Sequence, residues 1–162
     1  MLGTTPTSVN SALIRARATV EERGAQPPDR APAPRSAQER ELVTRFADAF
    51  ERGDVEPIVA LLAEDAWLTM PPEPGEYQGH AAIRHFLANA FAGNWDHPHR
   101  LIAMRANTQP AFVHYAKDPH TEIGRALSLF VLTLDGNRIS HITRFPVAGP
   151  LPHFGLPRTI PW

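Results

Sequence analysis

Acidic side chains are the first candidates for acid–base chemistry, because moving a proton to or from a substrate requires a buried carboxylate or imidazole. The acids of the strand-rich half, and of the loop before it, are all predicted at strand ends, turns or corners: Asp65, Glu73, Glu76, Asp118, Glu122 and Asp135. None is predicted in the middle of a strand. The sequence therefore places no carboxylate on a sheet face that could line a cavity, which argues against proton abstraction.

Three other polar side chains are predicted in the middle of strands: His114, His141 and Arg144. Because side chains alternate along a strand, Arg144 points away from the face that carries His141. If the protein is an enzyme, His141 or Tyr77 would be its acid or base, and Arg144 would orient a carbonyl or carboxylate group. A hydrogen-bonded structural role for these histidines is the alternative interpretation.

Histidines outside these strands raise the question of a metal site. His97 and His99 flank a proline, and His85 lies on a predicted helix. No pair of them has the i, i+4 spacing with a carboxylate that helical zinc sites use, and the chain has no cysteine to act as a thiolate ligand. We predict neither a metal nor a cofactor.

Composition limits the class of protein further. The chain has 162 residues, 16 basic and 17 acidic side chains and a formal net charge of −1. This length suits one domain with a real core, and the charge balance provides no polycationic surface for nucleic acid, so any DNA contact must be local. No secretion signal or membrane-spanning run is visible, so we expect a cytoplasmic protein without a membrane partner.

The elements that position these residues join at the stretch from Trp67 to His80. A short apolar run is interrupted by Pro71 and Pro72, which cannot donate ladder hydrogen bonds, and a helical pattern starts after Gly79. The sequence therefore predicts a strand, a stiff break at a cavity rim and a helix. The alternative is a proline-rich surface turn that packs Trp67 and Tyr77 into the core.

Helices precede this stretch and strands follow it. Ser36 is an N-cap with Glu39 at the capping-box position, and Gly53 ends the first helix. A short helix capped by Asp54 comes next, and a third follows Gly79. Four strands are predicted in series, at 100–108, 111–117, 123–134 and 138–146. The prediction is an α+β domain in which three helices pack into a curled, mostly antiparallel sheet around a conical interior.

The two ends of the chain differ from this domain. Residues 1–23 predict an isolated helix, and residues 24–36 a proline-rich linker with no large apolar side chain. The folded domain is expected at 37–148. Residues 149–162 contain too much proline for regular structure but keep large apolar side chains, so we expect an apolar strap across the domain.

The segment from Leu2 to Ala18 resembles the turn and recognition helix of region four in extracytoplasmic-function sigma factors. The resemblance rests on the string Ser-Val-Asn-Ser-Ala-Leu-x-Arg-Ala-Arg, and it implies RNA polymerase core and promoter DNA as partners of the full-length family. The matching DNA-contacting positions are Ser8, Asn10, Ser11, Arg15 and Arg17. The first helix of the motif and the polymerase-binding region two are absent before Met1, and a lone helix is marginal in water, so this chain alone should bind DNA weakly or not at all.

The order of elements from Ala37 to about Pro157 resembles the SnoaL-like branch of the nuclear-transport-factor-two-like superfamily. Three segments are similar to the carboxy-terminal domain fused to one group of these sigma factors: Met70-Pro71-Pro72 with Tyr77-x-Gly79, Ala106-Asn107-x-Gln109-Pro110-Ala111, and Phe154-Gly155-Leu156-Pro157. The resemblance implies an accessory domain of a sigma factor.

Three functions remain open at this point. The first is a non-catalytic module that binds a small apolar ligand or docks on the sigma core. Its expected pocket residues are Trp67, Met70, Tyr77, Phe86, Asn107, Phe112 and His141. The second is a stand-alone SnoaL-type isomerase or cyclase acting on a small carbonyl compound, and the third is a homodimer formed through the outer sheet face.

Overall fold

The computed structural model describes residues 31–93, 95–146 and 154–162, which belong to one compact unit of the chain. The predicted helix at 1–23 and its DNA-contacting candidates Ser8, Asn10, Ser11, Arg15 and Arg17 lie outside the described residues. So do most of the predicted linker and the start of the predicted strap.

Among the described residues, three helices precede or interrupt the sheet, at the positions the capping residues predict. Helix α1 is Ala37–Arg52, α2 is Val55–Ala60 and α3 is Gly79–Ala92. The Ser36 hydroxyl accepts a hydrogen bond from the Glu39 amide at 3.1 Å. The Glu39 carboxylate accepts from the Arg35 amide at 3.0 Å, and Arg105 of the sheet donates to it at 2.7 Å. Glu39 thus joins the start of α1 to the sheet.

Seven strands form one mixed sheet, and the predicted α+β class is confirmed. They are β1 Leu62–Thr69, β2 Glu76–Gln78, β3 His99–Ala106, β4 Gln109–Lys117, β5 Ile123–Asp135, β6 Arg138–Pro146 and β7 Thr159–Pro161. The spatial order is β2-β1-β6-β5-β4-β3, with β7 paired to β5. Strands β3 to β6 form the predicted antiparallel meander, whereas β1 lies parallel to β6.

Two local predictions were wrong. Strand β1 starts at Leu62, so Asp65 lies inside a strand and not at a corner, although both Glu64 and Asp65 remain exposed. The proline-rich tail also forms a strand, because β7 pairs with Ile123–Arg125 of β5, beyond the end of the β6 pairing. Pro157 and Pro161 are compatible with this strand, because β7 pairs with only one neighbour, β5, among the described strands.

The core lies between the helices and the inner face of the sheet. Phe46 of α1 stacks on Phe112 of β4 with ring centroids 5.9 Å apart, and both side chains are almost fully buried. A second, smaller cluster lies on the outer face: Ala106, Ala111, Val113, Tyr115 and Leu129. The alternation of Phe112 and Val113 between the two clusters follows from the period of two along β4.

The chain's last residues cover this outer cluster. Leu156, Ile160 and Trp162 pack against it, and the Tyr115 hydroxyl donates to the Pro157 carbonyl at 2.8 Å. The Arg100 guanidinium lies 4.4 Å from the centre of the Trp162 ring. None of the helices among the described residues combines the length and the hydrophobicity needed to cross a bilayer.

Candidate functional site

The curled sheet and the helices enclose a cavity of about 500 Å³. Most of its wall is aromatic or aliphatic, and the lining residues come from α1, α3, β1, β3 to β6 and the loops after β1 and α3. Its lining residues include Phe50, Leu68, Met70, Glu73, Phe86, Leu87, Phe91, Trp95, His97, His99, His114, Ala116, Leu127, Phe130 and Arg144. Of the residues that sequence reasoning assigned to a pocket, Met70 and Phe86 lie on this wall.

Two buried imidazoles form the main polar feature of the wall. Nδ1 of His99 and Nε2 of His114 lie 2.7 Å apart, and Nδ1 of His114 lies 3.3 Å from the Ser128 hydroxyl. Burial, together with the neighbouring His99 and the Arg144 charge, lowers the pKa of His114 to about 3. His114 is therefore neutral at physiological pH and acts in this arrangement as a hydrogen-bonding group without charge.

Trp95 forms one end of the cavity and holds this imidazole pair. Its ring stacks on His99 with centroids 3.8 Å apart and lies 4.0 Å from the Phe91 ring. Its indole Nε1 is buried and has no acceptor among the described residues. Sequence reasoning did not predict a role for Trp95 or for His99 as a cavity residue, because Trp95 lies in the short connection after α3 and His99 is the first residue of β3, just before the predicted start of that strand.

Arg144 brings the main positive charge to the cavity. It extends from β6, and its Nη1 lies 3.6 Å from the Met70 sulfur, a weak acceptor. It takes part in none of the ion pairs among the described residues. The cavity's one lining carboxylate belongs to Glu73, which is exposed in the loop between β1 and β2. The inner wall thus combines a cation, two imidazoles and apolar surface.

The other two candidates for acid–base chemistry lie elsewhere. Nε2 of His141 is 2.9 Å from the Thr69 hydroxyl, across the parallel pairing of β1 and β6. Burial lowers the pKa of His141, and the Glu76 carboxylate opposes this shift. The Tyr77 ring packs 4.5 Å from the Phe86 ring, behind the cavity wall. His141, Tyr77 and Arg144 therefore do not converge on one point of the cavity.

The remaining predicted pocket residues lie in three different environments. Trp67 is half-buried on β1, opposite Gln78 of β2, and Phe112 lies within the core. Asn107 lines a separate hollow of about 310 Å³ on the outer face, together with Thr143, Phe145 and Phe154. The sequence could not separate these sites, because the burial of an aromatic residue does not by itself indicate which face of the sheet it occupies.

Histidines and carboxylates are also the side chains that could hold a metal ion. Within the described ranges, no three of the His, Asp and Glu residues lie close enough together to hold a metal ion. His97 and His99 border the cavity, but they are not joined by a third ligand of this kind.

Comparison with known proteins gives one family and two kinds of relative. The SnoaL-like domain family matches residues 43–142. The ECF RNA polymerase sigma factor SigG, from two strains of Mycobacterium tuberculosis, is 35% identical to the chain over 161 residues. That match covers 98% of this chain and 42% of SigG, so the chain spans less than half the length of the curated relatives it matches.

Solved structures agree on the fold. A SnoaL-like protein of unknown function from Burkholderia thailandensis has a TM-score of 0.57 at 16% identity, covering 72% of this chain and 100% of that one. An NTF2-like protein of unknown function from Mesorhizobium loti has a TM-score of 0.55 at 20% identity, covering 71% and 95%. A protein with a ketosteroid isomerase-like fold from Catenulispora acidiphila, in complex with trimethylamine, has a TM-score of 0.50 at 19% identity, covering 73% and 95%.

Proposed function

The chain belongs to the SnoaL-like domain family, and from this premise we propose that it is the accessory domain of an RNA polymerase sigma factor. In this role it binds a small, mainly apolar ligand in its inner cavity without converting it. The observation that carries the ligand-binding part is the cavity itself, whose largely apolar wall contains Arg144, which joins none of the ion pairs of the described residues, and the His99–His114 pair.

The sigma-factor assignment is supported by similarity along nearly the whole chain. The match to SigG includes the segment from Leu2 to Ala18, which resembles a promoter-reading helix, as well as the SnoaL-like domain. RNA polymerase core and promoter DNA would be the partners of the full-length protein, which would work in the cytoplasm.

The absence of turnover is supported by the chemistry of the wall. Proton abstraction needs a group whose pKa lies near the working pH and which faces the substrate. The pKa of His114 is held far below that range by burial, and Glu73 is exposed in the rim loop. Binding without conversion therefore fits the charges and the burial of these groups better than catalysis does.

Cavity binding can be tested with a neutral aromatic probe, naphthalene-2-carboxamide, by isothermal titration calorimetry. Ala90 lines the cavity from α3, and its substitution Ala90→Trp fills the space, so we expect measurable binding to be lost. The matched control is Ala88→Trp, on the exposed face of the same helix, which should bind like the unmodified chain. Equal binding by both variants would place the probe outside the cavity and contradict the proposal.

A SnoaL-type enzyme is the second candidate, and the His99–His114 pair beside Arg144 is the observation that favours it. An enzyme of this kind would accelerate the exchange of the α-hydrogens of ethyl acetoacetate with deuterium, which NMR follows directly. We expect the exchange to match the buffer rate. Acceleration that disappears in His114→Gln would establish catalysis and overturn the non-catalytic assignment.

The genomic context tests the sigma-factor part separately. Reading the DNA upstream of the codon for Met1 should reveal an in-frame polymerase-binding region and the missing first helix of the DNA-binding motif. A stop codon directly upstream would instead favour an independent protein.

A further inference from the structure

We propose that the inner cavity selects an aromatic carboxylate, with the carboxylate paired to Arg144 and the ring held among Phe86, Phe91 and Trp95. This inference rests on the proposed function, since it names the class of ligand for the same cavity. It rests on the charge and the shape of the cavity, and its failure can be distinguished by experiment from a failure of ligand binding itself.

Arg144 supplies the positive charge that an anionic ligand would pair with. A guanidinium is charged at every physiological pH and has five N–H donors arranged to match a planar carboxylate. Here the side chain is half-buried, it contacts the Met70 sulfur, and it has no carboxylate in any ion pair of the described residues. A ligand anion would supply the acceptors that the protein does not provide.

The surrounding charges favour one negative charge on the ligand. His114, whose pKa is lowered by burial and by the neighbouring His99 and Arg144, is neutral and adds no charge of its own beside the guanidinium. Glu73 lies in the exposed loop between β1 and β2, where water screens it. A monoanion is therefore neutralised by Arg144, whereas a ligand cation would be repelled.

The walls of the cavity suit an aromatic ring. Phe91 and Trp95 are in ring contact, Phe50 meets both of them edge-on, and Phe86 lies on the same side of the cavity. Aromatic walls of this kind favour an aromatic ligand through offset and edge-to-face contacts. The apolar volume of about 500 Å³ accommodates a fused two-ring system together with a polar head group.

The test compares two ligands of almost the same shape, 2-naphthoate and naphthalene-2-carboxamide, by isothermal titration calorimetry. The unmodified chain should bind the carboxylate about tenfold more tightly than the neutral amide, the gain expected from a charge-assisted hydrogen bond. Arg144→Met should abolish this preference, leaving the two affinities equal. Arg45→Met removes an exposed arginine of α1 and should leave the preference unchanged.

Each result decides between distinct possibilities. Equal affinities for the two ligands in the unmodified chain would overturn the carboxylate assignment and leave ligand binding intact. Failure of both ligands to bind would overturn the proposed function as well. If Arg144→Met does not fold, the comparison in the unmodified chain still decides the assignment, and Arg144→Lys, which keeps the charge but loses the two-pronged geometry, should retain part of the preference.

Discussion

At the scale of single residues, the buried imidazole of His114 makes the stability of the fold depend on pH. In the unfolded chain this side chain has its ordinary pKa of 6.5, whereas burial lowers the pKa of the folded His114 to about 3. Below pH 6.5 the His114 side chain therefore binds a proton in the unfolded chain but stays neutral in the folded chain. Acidification from pH 6.5 towards 3 destabilises the fold through this group, and above pH 6.5 the effect vanishes.

We expect His114 to lower the free energy of unfolding by up to about 1.4 kcal/mol for each pH unit below 6.5. The variant His114→Gln keeps a hydrogen-bonding side chain between His99 and Ser128 but cannot titrate. Urea unfolding at pH 7, 6 and 5 should show the stability difference between the two proteins shifting in favour of the variant as the pH falls. A difference that stays constant over this range would mean that His114 takes up a proton as readily in the folded state as in the unfolded state, which would contradict the lowered pKa.

Sequence reasoning reached His114 and Arg144, because mid-strand polar residues are unusual and period-two alternation assigns them to a face. The same reasoning missed contacts between residues that lie far apart in the sequence. Glu39 was predicted as a capping residue, but its pairing with Arg105, 66 positions away, depends on how α1 crosses the sheet. Long-range contacts of this kind leave no signal in a single sequence.

At the scale of elements, the C-terminal end of α1 packs closely against the Trp95 ring. Gly53 has a φ of +70°, and a methyl group at this position would lie 2.7 Å from Cδ1 of Trp95. The helix end and the cavity wall are therefore packed directly against each other. The left-handed conformation was predictable from the sequence, since glycine commonly ends helices in this way, but the close approach of an indole was not.

We predict that Gly53→Ala destabilises the fold more than the backbone conformation alone requires. The strain of a positive φ costs about 1 kcal/mol, and the contact with Trp95 adds roughly 1–3 kcal/mol. Gly136→Ala is the matched control, because Gly136 has a φ of +57° but open space around the position of a Cβ. Urea unfolding measures both variants, and equal losses would mean that Trp95 moves aside without cost.

The elements themselves were largely predictable, and their pairing was not. The meander follows from short turns such as Asp135-Gly136-Asn137, which bring successive strands side by side. The parallel contact of β1 with β6 joins segments separated by about 70 positions, and β7 pairs through only three residues. Nothing local in either segment specifies its neighbour, because these pairings depend on how the whole sheet curls.

At the scale of the whole molecule, the two faces of the sheet have different uses. The inner face lines the cavity, while the outer face carries an apolar cluster that residues 156–162 cover. Gly124 permits this cover, since a Cβ there would lie 2.8 Å from the Trp162 ring. An uncovered cluster of this kind would be a surface for association with a second copy, which is the dimer that the sequence left open.

We therefore expect the intact chain to be monomeric and a chain that ends at Gly155 to self-associate, as measured by size-exclusion chromatography with light scattering. The shortened chain loses Leu156, Ile160 and Trp162, and with them the cover of Val113 and Tyr115. Gly124→Ala should produce the same change more weakly by displacing Trp162, whereas Gly93→Ala, which meets nothing, should not. A dimeric intact chain would show that the covered face does not control assembly. A folded, monomeric shortened chain would show that this face has no tendency to associate.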